Sequence, residues 1–150
     1  FPLSTKAVKL NKKMPDTSLE FIKKNVGFSL KKKKILFYGI TYKENIGDIR
    51  HSPTVDLAKK LRKLKCDVFF YDPLIKVIKD KNIKFYDIKT KKLNFDLKIL
   101  TVKHKETHSK TFFKKFTSDK GIIFDLNNVL SFDKIALLKK RNSPIFILGR

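Results

Sequence analysis

Short apolar runs alternating with amphipathic segments predict an α/β chain whose sheet is parallel and covered on both faces. Three observations carry that reading. The runs Ile35–Ile40, Val68–Tyr71 and Leu97–Val102 are nearly continuous in apolar residues, the mark of strands buried on both sides. Between them, Pro53–Lys65 gathers Val55, Leu57, Ala58, Leu61 and Leu64 into one stripe, with Lys59, Lys60, Arg62 and Lys63 largely outside it. Each strand is followed by a polar loop, and right-handed crossovers collect such loops on one edge. The expected architecture is therefore a Rossmann-like, doubly wound parallel sheet of five or six strands, preceded by a helical segment.

The elements follow in order. Residues 4 to 24 show helical spacing through Val8, Leu10, Met14, Leu19 and Ile22, with Met14-Pro15 expected to kink or break the helix and Asn25-Val26-Gly27 to stop it. Lys31 to Lys34 lead into the first strand. A long loop, Thr41 to His51, separates that strand from the helix opening at Ser52-Pro53, read as N-cap and first-turn proline. The second strand closes at Asp72-Pro73. A helical turn and a short strand, Ile83–Tyr86, are expected next, then strand Leu97–Val102 and the polar loop Lys103-His104-Lys105-Glu106. Helix Ser109–Phe116, strand Gly121–Phe124, loop Asp125 to Asn128, helix Asp133–Lys140 and strand Pro144–Leu148 complete the chain. The domain boundary is expected near residue 30, with 1–30 as the helical end of a preceding unit and 31–150 as the α/β domain.

Composition narrows the function. The 150 residues are 41% hydrophobic, enough for a real core, and no apolar run approaches the length of a membrane span. The start at Phe1-Pro2 lacks the features of a signal peptide, and its position inside an apparent helix suggests a piece of a longer protein. Cys66, the one cysteine, has no internal disulfide partner and reads as a small buried thiol. One cysteine and three scattered histidines offer no zinc spacing, so no metal is expected. The net charge of +22 raises an alternative reading, a basic nucleic-acid-binding α/β domain. Against it, only four of the 36 basic residues are arginines, and base and bidentate phosphate recognition favours arginine. A solvated lysine coat that favours anionic ligands is the better reading, with no specific nucleic-acid partner.

The richest stretch is Ile35 to Pro53. It is a strand ending in Gly39, a loop carrying Lys43, Asp48 and Arg50, and a helix N-terminus, the arrangement in which α/β sheets hold anions. After Gly39 the next glycine is Gly47, so the Gly-rich dinucleotide fingerprint is absent.

This loop resembles the C-terminal domain of the UDP-glucose/GDP-mannose dehydrogenase family. The resemblance rests on Gly39-Ile40-Thr41-Tyr42-Lys43-Glu44-Asn45 and Asp48-Ile49-Arg50-His51-Ser52-Pro53. It continues in register through Tyr71-Asp72-Pro73, Ile99 to Glu106 with His104, and Phe124-Asp125-Leu126-Asn127-Asn128. Upstream, Asn11 to Pro15 is similar to the end of the family's central dimer helix. It implies the nucleotide-sugar-binding part of an NAD-dependent enzyme that oxidises the C6 alcohol of a UDP-sugar to a carboxylate, for polysaccharide precursor synthesis. It also implies a homodimer in the cytoplasm, away from membranes. The family's catalytic cysteine and NAD fingerprint belong to a preceding half not represented in this sequence, so no catalytic residue is expected here and the chain alone should be inactive. NAD would be bound mainly by that other half.

Tyr42 and Lys43 match the family's aromatic-Lys pair that contacts the nucleotide sugar. Physically, an ammonium suits a diphosphate and a ring supplies stacking or a hydroxyl contact. Arg50 matches an arginine that reaches NAD, and a structural pair with Asp48 competes with that role. Asp48 and Asp72 read as loop-shaping, His104 as a rim histidine bonded to backbone rather than a general base, and Asp125 and Asn128 as rim residues. Asn11 is open between partner contact and solvation. Two departures stand out. The family's Asp-Gly-Arg-Asn loop is Asp125-Leu126-Asn127-Asn128 here, and His104-Lys105-Glu106 replaces a Thr-Glu-His or Thr-Glu-Trp stretch. The latter, with Lys43-Glu44-Asn45, leans toward the branch oxidising UDP-N-acetylhexosamines. A third possibility is a purely structural dimerisation piece, based on the amphipathic segment Ser4 to Lys24.

Overall fold

The structure, a computed structural model, describes residues 2–149, without the side chains of Pro2, Ala7 and Asn11. The expectation for Asn11 thus lies outside the described residues. Five strands, β1 (Lys34–Tyr38), β2 (Asp67–Tyr71), β3 (Leu97–Leu100), β4 (Ile122–Asp125) and β5 (Ile145–Ile147), form one sheet in the order β2-β1-β3-β4-β5. Every pairing is parallel. The chain runs outward from β1 to β2, then crosses back over β1 to start β3 on its other side. The winding direction therefore reverses between β1 and β3, and the crevice at their carboxyl ends is where such sheets place ligands.

Strand alternation divides the core in two. Ile35, Phe37, Val68, Phe70, Leu97, Ile99 and Phe124 face one layer, made by α1 (Pro2–Val26) and α2 (Pro53–Lys63). Leu36, Tyr38, Leu100 and Ile123 face the other, where α3 (Lys110–Phe116) and α4 (Phe132–Lys140) supply Phe112, Phe113, Phe116, Ile135 and Leu138. Three sequence expectations needed correction, the first being the helical turn after Pro73, where residues 73–82 form only bends, turns and irregular chain. The helix is not broken at Met14-Pro15: α1 runs through Pro15. Pro15 and Ser18 are buried with Ile22 and Val26 on one face, Phe21 packs edge-on against Phe124 at 5.9 Å, and Asp16 pairs with Lys60 of α2 at 2.7 Å. Tertiary packing thus outweighs the backbone bond that proline removes. Ile83–Tyr86 is not a sixth strand but a single bridge, Phe70 to Phe85, held by the Phe70 and Tyr86 N–H groups. Turns at Asp80 and Asp87, each carboxylate accepting a backbone N–H two residues on, leave no room for a longer ladder.

The first half of α1 exposes Leu3, Val8, Leu10 and Met14. No helix among the described residues is long and apolar enough to cross a membrane.

Candidate functional site

The reversal point carries a cavity of about 310 Å³. Thr41, Tyr42 and Lys43 from the β1 loop form one wall, and Thr101 and Val102 after β3 another. Leu126 and Asn127 after β4 and the start of α2 add to it, while Met14, Pro15 and Ser18 of α1 close it. A second hollow of about 420 Å³ shares Tyr42, Lys43, Val102 and Asn127 with the first and adds Lys103, so Tyr42 and Lys43 line both. Both volumes lie within the range of small-molecule sites.

The backbone makes the opening by close approach. Gly39 has φ +93°, and a Cβ there would sit 2.6 Å from Cβ of Val102. The Thr101 hydroxyl donates to the Tyr38 and Gly39 carbonyls, and the Asn127 amide donates to the Thr101 carbonyl at 3.0 Å. The loops after β1, β3 and β4 are thereby tied into one rim.

Lys43 is exposed, with its ammonium 5.7 Å from the centre of the Tyr42 ring, and among the described residues no carboxylate pairs with it. Arg50 differs. Its Nε lies 3.1 Å from both Asp48 oxygens and its Nη2 2.8 Å from Oδ2, while its backbone N–H also donates to Asp48. The hydrogen bonds from Arg50 hold the exposed Asp48 carboxyl down at about 2. The loop-shaping reading of Asp48 therefore stands, and most of the Arg50 guanidinium still faces solvent.

Beneath the rim lies a buried polar network. Asp72 accepts from the Ile40 and Leu74 N–H groups and lies 3.1 Å from His104 Nε2. Burial opposes its ionisation, but the bonds from His104, Ile40 and Leu74 prevail and hold its carboxyl below the usual range. His104 is 2% exposed, which places it under the rim rather than on it. Its Nδ1 accepts from the Asn45 backbone N–H at 3.0 Å, so its proton sits on Nε2, shared between Asp72 and the Thr41 hydroxyl at 3.3 Å. On the other face, the Tyr71 hydroxyl donates to Glu106 at 2.9 Å; burial and that carboxylate push the Tyr71 phenol well above its ordinary value, and the same two causes raise Tyr38.

The remaining candidates are structural. Asp125 is fully buried and accepts from the Asn127, Val129 and Leu130 N–H groups, closing the turn before α4. Asn128 holds a left-handed conformation at φ 51°. Ser52 occupies the N-cap position of α2, yet its hydroxyl makes no capping bond and has no hydrogen-bond partner among the described residues. That departs from the expected cap; Pro53, without an N–H at the first turn, lowers the demand for one. Cys66 is buried, donates to the Leu30 carbonyl, and burial pushes its thiol up to about 11, which disfavours the thiolate. No group of His, Cys, Asp and Glu among the described residues could hold a metal.

Sequence reasoning missed Asn127 and the α1 wall. A signal for Asn127 exists, because the loop after β4 was already placed on the rim. Met14 and Ser18 share a helix face, but nothing local says that this face overlies the crevice.

Fold and cleft together define a parallel α/β domain with a cavity at its winding reversal. Residues 36–132 match the UDP-glucose/GDP-mannose dehydrogenase family, UDP binding domain, and the chain belongs to that family. It is 29% identical over 110 residues to the UDP-N-acetyl-D-glucosamine 6-dehydrogenase of Salmonella typhi, covering 69% of this chain and 25% of that protein. It is 28% identical over 135 residues to the UDP-glucose 6-dehydrogenase of Rickettsia bellii (strain RML369-C), covering 85% and 31%. The solved UDP-N-acetyl-mannosamine dehydrogenase from S. aureus overlays with a TM-score of 0.66 at 25% identity, covering 94% of this chain and 32% of that one. The chain thus spans between a quarter and a third of these relatives. Nothing in these comparisons supports the nucleic-acid reading.

Proposed function

We propose that this chain is the nucleotide-sugar-binding part of an NAD-dependent UDP-sugar 6-dehydrogenase, with Tyr42 and Lys43 contacting the substrate. The observation that carries the reading is the Lys43 ammonium on the wall of a cavity at the reversal point, with no carboxylate paired to it among the described residues. A cation so placed, beside an aromatic ring, suits a nucleoside diphosphate. The relatives' names cover both glucose and N-acetylhexosamine substrates. The His104-Lys105-Glu106 loop favours the N-acetylhexosamine class.

NAD accepts the hydride in such an oxidation. The β1 loop does not fit a dinucleotide by itself, because the space over Gly39 is filled by Val102 rather than left for a pyrophosphate. Arg50, extending from the rim, is the residue that would meet NAD bound by a separate N-terminal half, and the chain alone is then inactive. Residues 1–30 would end the dimer helix, with Val8, Leu10 and Met14 meeting a second copy in a cytoplasmic homodimer. Sedimentation of the full-length protein tests this: Leu10→Glu should shift a dimer toward monomer, and a monomeric unaltered protein would refute it.

Calorimetry with UDP, UDP-GlcNAc and UDP-glucose tests the main reading. Binding of at least one nucleotide by the full-length protein is expected. Absence of binding, or binding insensitive to Lys43→Ala, would defeat it.

A further inference from the structure

Lys43 stands in an exposed stretch, residues 42–47, yet the backbone on both sides of it is fixed from below by one side chain. His104 Nε2–H reaches the Thr41 hydroxyl, and that hydroxyl donates to the Lys43 carbonyl at 2.9 Å. His104 Nδ1 accepts from the Asn45 N–H, and the Asn45 side chain in turn accepts from the Lys105 N–H at 3.0 Å. Residues 41 and 45 are therefore held by opposite edges of one imidazole, and Lys43 lies midway between them. Asp72, fixed by two backbone N–H groups of its own, orients the ring through Nε2. The carboxyl ends of β1, β2 and β3 thus meet at His104.

We propose that His104 is the positioning residue of the nucleotide site, set by Asp72, and that it presets the loop conformation which aims Lys43 into the cleft. This rests on the reading of Lys43 as a diphosphate contact. Two features separate it from a general base. The ring is 2% exposed, and both nitrogens are already committed to protein partners, so no ring atom is left for a reacting group. Its contribution is preorganisation: ordering a free loop on binding would cost affinity that a preset loop retains.

The two nitrogens can be separated by substitution. His104→Asn keeps an acceptor where Nδ1 lies and drops Nε2. His104→Gln extends a donor toward Asp72 and drops the Nδ1 acceptor. His104→Ala keeps neither. With UDP as probe and the full-length protein, Ala should weaken binding about tenfold, the scale of one lost hydrogen bond, and Asn and Gln, each of which keeps one edge of the ring, should weaken it by less. Amide exchange at Asn45 should be slow in the unaltered protein and His104→Asn, and fast in the other two. Imidazole nitrogen-15 shifts should report the Nε2–H tautomer. Equal UDP affinity in all three variants and the unaltered protein would overturn the proposal, as would a tautomer protonated on Nδ1. A protein that binds no UDP would defeat the reading of Lys43, while Asn45 exchange and the tautomer would still decide whether His104 presets the loop.

Discussion

Gly39 and Val102 meet so closely that a methyl group on Gly39 would lie 2.6 Å from the Val102 Cβ and 2.9 Å from its backbone nitrogen. These are the first residues beyond β1 and the second beyond β3, the strands between which the winding reverses. The cleft exists because the two chains part only after this contact.

Gly39→Ala should therefore be costly for two reasons, the positive φ and the clash. The expected loss is about 2–4 kcal/mol, from overpacking and left-handed strain together. Gly27→Ala isolates the second effect, since Gly27 has φ +68° and open space around it, and about 1 kcal/mol is expected there. Urea unfolding of both variants checks the difference.

Lys43 and Arg50 should separate by ligand. Lys43→Ala should weaken UDP binding about ten- to a hundredfold, the scale of a charge-assisted hydrogen bond, and leave the melting temperature unchanged because the side chain is exposed. Arg50→Ala should leave UDP affinity unaltered and raise the KM for NAD in the full-length enzyme. Calorimetry and steady-state kinetics on the same preparations measure both.

The β1 loop was legible because its information is local. Gly39, Lys43, Asp48, Arg50 and Pro53 lie within one strand-loop-helix unit, and parallel winding places that unit on the rim without further knowledge. What failed to show was set by distant packing. Pro15 signals a break wherever it is read locally, and only Phe124, Lys60 and the neighbouring core explain why α1 continues. The sequence places Lys98 within an apolar strand, and its side chain is fully buried in the molecule. His104 looked like a rim residue because burial depends on Asp72 and Thr41, which come from two other loops.

Acid should unfold the protein partly through Asp72. Its folded-state pKa lies below the ordinary value of 3.8, as do those of Asp48 and Asp87. Between the folded and unfolded values the unfolded chain binds more protons, so stability is present above about pH 3.8 and is lost as pH falls below it. Asp72→Asn should lower overall stability and flatten that acid limb, because one linked proton is removed. Urea midpoints measured from pH 5 downward give the slope, and an unchanged slope would contradict the assignment.

Lys98 provides the opposite sign. On central strand β3 its ammonium pairs with Asp119 and donates to the Phe116 carbonyl at 2.6 Å. Burial lowers its pKa from 10.5, and Asp119 works against that shift. Asp119→Asn keeps a carbonyl for the Phe95 N–H, which now bonds Asp119, but strands the buried charge. A loss of about 3–5 kcal/mol is expected at neutral pH. Adding Lys98→Met should recover most of it, since a buried pair replaced by apolar volume is often neutral. The single variant should also grow more stable as pH rises toward 10.5: in that window the unfolded state binds the proton that the folded state has shed. The Lys98→Met combination should lack this rise, so chemical unfolding across pH 7 to 10 tells a stranded ammonium from a mere packing defect.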